Sequence, residues 1–199
     1  MSLNVPRNPE RRGEQADWRD PWPAQGVHQG DPAPSAGLEA LRADGFAVCF
    51  DLESIAQDVD QYQDHLNNAA PVRMFNELRM AYVAAKLAPE WPRYVRRSGS
   101  SGVIRELHVQ YESEAWPHES FVGATAYRAR RGKSALMEQR LVEASSGRGL
   151  ARAWIVQLLV GPDGRVEAFP EWMWDAVARA EGAPIPEWPS QRRPWGPPP

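Results

Sequence analysis

Cysteine is nearly absent from this sequence of 199 residues, where Cys49 stands alone. One thiol closes no internal disulfide and builds no cysteine-based zinc cluster, so a reducing, cytoplasmic setting is expected. Long apolar runs are also missing. The longest, Trp154 to Val160, has the length of a strand, far below the roughly 18–20 residues of a membrane helix. Arg7, Arg11 and Arg12 are followed by no apolar stretch, and no signal peptide is expected. Excess positive charge is lacking, the formal net charge being −3, which argues against a binder of the nucleic-acid backbone. The four histidines show no metal-ligand spacing, and none of them is expected to hold a metal. The glycines of Arg97-Ser98-Gly99-Ser100-Ser101-Gly102 lack the lysine and the strand–helix frame of a phosphate-cradling loop.

Proline is scarce in the middle of the chain. Of nineteen prolines, six lie in residues 1–35 and seven in residues 184–199, leaving six for the 148 residues between. Residues 36–183 are therefore expected to form one folded domain. An N-terminal arm, 1–35, holding Asp17-Trp18-Arg19-Asp20-Pro21-Trp22, and a Pro-rich tail, 184–199, flank it. An apolar share of 42% is enough to build a core and excludes wholesale disorder.

Within that domain the periodicity is mixed. Ser35 is placed to cap a short helix to about Ala43, ended by Asp44-Gly45. Phe46, Val48, Phe50 and Leu52 alternate as a strand. Pro71 suits the first turn of a helix in which Val72, Phe75, Leu78, Tyr82 and Ala85 recur at helical spacing to about Leu87; Pro89 and Pro92 are expected to stop it. Strands follow over Val103–Tyr111, with Val103, Leu107, Val109 and Tyr111 on one face, then Phe121–Arg130, Ser134–Ala144, Leu150–Val160 and Arg165–Ala168. A last helix runs from Pro170 to about Glu181 and stops at Gly182. Strands of about ten residues span roughly 33 Å, and a helix of about 17 residues spans roughly 25 Å. Those lengths fit an α+β fold, a long curved antiparallel sheet wrapped around one central helix, with sheet edges left for another subunit.

Between the first strand and that helix lies a polar cluster, Asp58-Val59-Asp60-Gln61-Tyr62-Gln63-Asp64-His65-Leu66-Asn67-Asn68-Ala69. It resembles the Asp-x-Asp-x-x-Gly-His-x-Asn-Asn motif of hotdog-fold acyl thioesterases, the 4-hydroxybenzoyl-CoA thioesterase-like and acyl-carrier-protein thioesterase-like enzymes. Arg73-Met74-Phe75-Asn76-Glu77-Leu78-Arg79 is similar to the family's central-helix stretch, and Val103 to Tyr111 to its second strand. The closing stretch from Ala151 through Gly161-Pro162-Asp163-Gly164 to Phe169-Pro170-Glu171-Trp172 is similar to its last hairpin and helix start. One departure stands out: Asp60 to His65 is longer by one residue, and Gln63-Asp64 replaces the turning glycine.

The resemblance implies a hotdog fold that assembles as a homodimer or homotetramer and hydrolyses an acyl thioester, with coenzyme A entering only as part of the substrate and no other cofactor. Asp60 corresponds to the family's catalytic aspartate, as nucleophile or general base. Asn67, Asn68 and His65 would orient substrate and water, while helix N-terminal amides near Asn68 to Val72 hold the oxyanion. Asp64 and Glu77 are the alternative carboxylates. Arg130, Arg131 and Lys133, in the hairpin after the third strand, correspond to the family's coenzyme A phosphate contacts; Arg96-Arg97 is a second option. Without the resemblance, an Asp/Asn-rich stretch before a helix reads as capping and turn chemistry. A hotdog protein that binds acyl groups or assembles without hydrolysing them is the competing reading, and a hydratase on the same fold the third. Neither nucleic acid nor membrane is an expected partner.

Overall fold

The computed structural model describes residues 26–28 and 30–188. The Asp17–Trp22 segment and the end of the tail, from Pro189, lie outside the described residues. The element order is α1 (Ala36–Ala43), β1 (Cys49–Leu52), α2 (Ala70–Tyr82), α3 (Glu90–Ser98), β2 (Ser101–Tyr111), β3 (Phe121–Arg131), β4 (Ser134–Glu143), β5 (Gly149–Val160), β6 (Val166–Glu167) and α4 (Glu171–Glu181).

The antiparallel sheet has the order β1-β3-β4-β5-β2, with β6 beside β5. Chain neighbours β3, β4 and β5 pair as hairpins, whereas β2 lies at the far edge, paired only to β5 among the described residues. On one face α2 buries Pro71, Met74, Phe75, Leu78, Ala81 and Tyr82, a stripe at i, i+3 and i+4 spacing. It shares a core with Phe50, Phe121, Tyr127, Met137, Leu141 and Ile155 of the sheet. Gly123 on β3 lets this contact close, since a Cβ there would sit 2.5 Å from Leu52 and 2.6 Å from Leu78. The other face is covered by α1, whose Leu41 packs with Phe46, Val122 and Val142. Ser35 caps α1 by accepting from the Leu38 amide at 3.2 Å.

Two expectations need correction. The central helix stops before Pro89 as expected, but a further helix rather than a direct passage into the next strand follows it. The chain continues from α2 through a π-turn over Val83–Leu87 and then forms α3, with Pro89 as N-cap. Pro92 falls in the first turn, where the missing N–H has no intrahelical partner to lose, and Gly99 closes the helix at φ 69°. Arg96 and Arg97 are thus helical. The second correction concerns β2, where a bulge at Arg105 shifts the register between Ile104 and Glu106. Ile104 then pairs with Gln157, on the same face as Leu107 opposite Ile155, Val109 opposite Ala153 and Tyr111 opposite Ala151, while Val103 turns to the other face. Among the described residues no helix is long and apolar enough to cross a membrane.

Candidate active site at the start of the central helix

The polar cluster forms a small closed excursion. Val59 bridges Leu66 in antiparallel fashion, the Asn67 amide donates to the Asp58 carbonyl at 2.7 Å, and the Asp60 amide donates to the His65 carbonyl at 3.0 Å. The residues between, 61–64, form an exposed tip that takes up the extra residue. Asp60 Oδ1 accepts from the amides of Tyr62 at 2.8 Å and Gln63 at 3.2 Å, an Asx-type turn that does without the glycine.

Asp58, for which the sequence suggested no role of its own, anchors this loop. Its carboxylate is 2% exposed and takes a bidentate pair from Arg73 of α2, Nε at 2.7 Å and Nη2 at 2.5 Å, while also accepting from the Ile55 amide at 2.9 Å. A planar guanidinium fork matched to a buried carboxylate fixes loop against helix.

Asn67 holds the turn that leads into α2, whose N-cap is Ala69. Asn67 Oδ1 accepts from the amides of Ala69 at 2.9 Å and Ala70 at 3.1 Å, and its Nδ2 donates to the Gln57 carbonyl at 2.9 Å. Pro71 has no N–H, and the Arg73 amide bonds to the Ala69 carbonyl. The amides of Asn68 and Val72 are the ones left without a partner among the described residues. His65 is held on both nitrogens, Nδ1 2.7 Å from the Leu66 carbonyl and Nε2 2.6 Å from Gln63 Oε1, with Trp116 edge-on at 6.3 Å.

The segment leaving β2 lies alongside. The Leu66 amide donates to the Ala115 carbonyl at 2.7 Å, and the Tyr111 hydroxyl to the Asn68 carbonyl at 2.7 Å. Between the two runs is a cleft of about 270 Å³ whose walls include His65, Asn67, Asn68, Tyr111, Glu112 and Glu114. Of the anticipated residues, His65, Asn67 and Asn68 therefore meet at one cleft. Asp60 is half-buried beside it and does not line it, Asp64 is on the exposed tip, and Glu77 is buried on α2, 3.4 Å from Asn76 Nδ2. Glu112 and Glu114 were not anticipated, because they are brought here by contacts far apart in the chain, the Leu66 amide on Ala115 and the Tyr111 hydroxyl on Asn68. Glu112 is paired to Arg140 at 3.0 Å; the Glu114 carboxylate has no partner among the described residues.

The basic hairpin has partners of its own. Arg130 Nη1 meets Glu171 at 3.2 Å, and its Nε lies 3.2 Å from Glu187, an ion pair whose angle falls short of a hydrogen bond. Lys133 donates to the Val166 carbonyl at 2.7 Å, and Arg131 is exposed and also engaged. Among the described residues no three His, Cys, Asp or Glu side chains stand together as a metal site.

A long antiparallel sheet packed on one helix, with a polar cleft at that helix's start, defines the hotdog class. The sequence model of the thioesterase-like superfamily matches residues 56–191, and the chain belongs to that family. Among curated proteins none matches. Solved structures share the fold. A thioesterase from Thermus thermophilus, solved with coenzyme A and zinc, is 19% identical with a TM-score of 0.58 over 71% of this chain and 99% of that one. A thioesterase-superfamily protein from Jannaschia sp. CCS1 is 18% identical, TM-score 0.64, covering 79% and 98%. Slr0204, a 1,4-dihydroxy-2-naphthoyl-CoA thioesterase from Synechocystis, is 11% identical, TM-score 0.59, covering 65% and 94%.

Proposed function

We propose that this chain hydrolyses acyl-CoA thioesters at the cleft beside the start of α2. The observation that carries this reading is the pair of unpartnered amides, Asn68 and Val72, at the positive end of a helix where Asn67 holds the amides of Ala69 and Ala70. Such amides suit a thioester oxygen as it gains charge. Asp60, with Oδ1 held by the loop and Oδ2 left over, takes a proton from water as the water oxygen adds to the thioester carbon. Collapse of the tetrahedral intermediate breaks the C–S bond, and the departing coenzyme A thiolate takes a proton back from Asp60. Asn68 orients the acyl group, and His65 keeps the loop in place through Gln63. The Thermus relative was solved with coenzyme A and the Synechocystis relative is a CoA thioesterase, which favours acyl-CoA over a carrier protein. Coenzyme A enters as part of the substrate, and no further cofactor is needed for these steps.

The site is completed by a second copy. Ile104, Leu107 and Tyr111 on the α2-facing side of the free β2 edge are 41%, 42% and 49% exposed, and edge-to-edge pairing of two β2 strands would cover them. The functional unit in this reading is a homodimer, or a tetramer of two such dimers. A cytoplasmic setting suits Cys49, whose thiol burial pushes up to about 11 and so out of reach of redox chemistry.

The test is Asp60→Asn beside Glu114→Gln, assayed on short-, medium- and long-chain acyl-CoAs. Asp60→Asn is expected to lower kcat by about 100-fold or more, the size of a general-base contribution, with little change in KM. Loss in Glu114→Gln with Asp60→Asn unaffected would move the base to Glu114. Wild-type protein that binds acyl-CoA and turns none over would favour the acyl-binding reading, consistent with Asp60 lying outside the cleft wall.

A further inference from the structure

α3 has no fully buried residue, yet two of its aromatic side chains extend the core outward. Trp91 stacks on Tyr94 at 5.8 Å and on Phe169 at 6.2 Å, and Tyr94 meets Trp172 of α4 edge-on at 5.9 Å. Between α3 and the first turn of α4 this leaves an open cleft of about 600 Å³, walled by Glu90, Arg93, Tyr94, Arg97, Ser98 and Trp172. Arg93 and Arg97 stand one turn apart on the same helix face, and neither guanidinium has an ion pair or hydrogen bond among the described residues. Arg73, Arg128, Arg130, Arg140, Arg148 and Arg152 are all paired with carboxylates. Like charges four residues apart do not help a helix. What would compensate them is an anion.

Two guanidinia match a phosphomonoester, and an aromatic floor stacks a planar base. Glu90 at the rim offers an acceptor to an exocyclic amine. We propose that this cleft binds a phosphorylated adenine nucleotide, the 3′-phospho-ADP end of coenzyme A, and presents it to the thioester cleft of a second copy. The location carries the second half of that statement. α3 runs into the Ser101 end of β2, where a Cβ on Gly102 would lie 3.7 Å from Trp91, whereas the thioester cleft is at the Tyr111 end. Within one chain the two clefts are a strand length apart, about 33 Å at 3.3 Å per residue, more than a pantetheine arm spans. A two-fold antiparallel pairing centred near the middle of β2 sets the Ser101 end of one copy beside the Tyr111 end of the other. The nucleotide clamp for one thioester cleft then consists of the partner subunit's Arg93 and the partner subunit's Arg97. This inference rests on the acyl-CoA reading for its ligand and on the β2-paired dimer for its geometry.

Calorimetric titration of the full chain with 3′,5′-ADP, coenzyme A and dephospho-CoA tests it without reference to hydrolysis. Wild type is expected to bind 3′,5′-ADP and coenzyme A, and to bind dephospho-CoA at least about 10-fold more weakly for want of the phosphate that the guanidinia grip. Arg93→Glu with Arg97→Glu, both at the surface, is expected to weaken 3′,5′-ADP and coenzyme A by at least about 30-fold while circular dichroism and oligomeric state are unchanged. Wild type that binds no 3′,5′-ADP, or a double variant that binds it equally well, overturns the site. Binding without any thioester turnover overturns the hydrolase reading and leaves the site standing. Mixing the double variant with Asp60→Asn separates subunits: a shared site regenerates about a quarter of wild-type turnover, because half the dimers then carry one intact site of two. No regeneration, with each parent inactive at low acyl-CoA, places the clamp within one subunit and overturns the cross-subunit part.

Discussion

The two edges of the sheet are finished in opposite ways. At the β1 edge the chain closes itself. Residues 26–28 pair with β1 through the His28 amide on Asp51 and the Val27–Leu52 bridge. Where β1 ends, the outward amides of β3 are taken in turn by the Val48 carbonyl at Thr125, the Glu181 carboxylate at Tyr127 and the Pro186 carbonyl at Arg130, before Trp188 donates back to Arg130. Three separate segments are recruited to satisfy one edge. At the β2 edge nothing comparable happens among the described residues, and Ile104, Leu107 and Tyr111 are left at 41–49% exposure. A chain that covers one edge with its own distant segments and leaves the other apolar and unpaired among the described residues makes the open edge the candidate for the proposed pairing of two copies.

The strongest way to break that distinction is to charge the open edge. Ile104→Lys with Leu107→Lys puts two ammonium groups on the face that a second β2 would cover, while the backbone pairing with β5 stays intact. The dimer is expected to dissociate with Kd raised at least about 100-fold, close to 3 kcal/mol, while far-ultraviolet circular dichroism is preserved. Sedimentation equilibrium measures it; a wild type that is monomeric, or a variant that still dimerises, removes the interface reading of this edge.

The closed edge is expected to respond in the opposite sense. Trp188 is half-buried against the cluster of Ala129, Leu136, Val156 and Trp154 that the end of β3 helps form. Trp188→Ala should cost about 2 kcal/mol, below the range for fully buried Trp because part of the ring is solvated, and lower Tm by about 4–8 °C for a chain of this size. The association state should not change. A Trp188→Ala protein that loses its dimer instead would mean that both edges serve assembly.

Much of this contrast was legible in the sequence, and what was hidden has a physical reason. Alternation and turn residues located β3, β4 and β5 because hairpin neighbours are also chain neighbours. The stripe of Phe75, Leu78 and Tyr82 located α2 because a helix reports its buried face every third or fourth residue. His65, Asn67 and Asn68 were legible at the cleft because they are contiguous with the turn that leads into α2. Asp58 and Asp60 are two residues apart and chemically identical, so only Arg73, fifteen residues on, separates the anchor from the turn-former. Glu112 and Glu114 reach the cleft through contacts between distant parts of the chain, which leave no local pattern. The prolines concealed α3 because a proline that ends one helix can equally begin the next. Glu181 was read only as the end of a helix, although its carboxylate stands in for a missing strand.

That carboxylate gives the finest test of the closed edge. Glu181 Oε1 accepts from the Tyr127 amide at 3.1 Å and from the Tyr82 hydroxyl at 2.9 Å. Burial raises its pKa above the ordinary carboxylate value, the two hydrogen bonds and Arg128 opposing the rise only in part. The Tyr82 hydroxyl is likewise pushed up by burial and by this neighbouring charge. A carboxyl with a raised folded-state pKa binds its proton more tightly folded than unfolded. Its contribution is therefore fully present below about pH 4.5, the unfolded value, and is lost as pH rises through the folded value. Glu181→Gln keeps an acceptor for both donors and removes the ionisation. Relative to wild type it should gain stability as pH rises from 4.5 to 8, the two proteins being most alike near pH 4.5. Glu181→Ala leaves the Tyr127 amide without its acceptor and should lose about 2 kcal/mol at pH 4.5, and less at pH 8, where wild type has itself lost the contribution of the protonated carboxyl. Urea unfolding at the two pH values reads all three proteins. A Glu181→Gln protein destabilised more at pH 8 than at pH 4.5 would show that the edge is closed by a charge rather than by a hydrogen-bond acceptor.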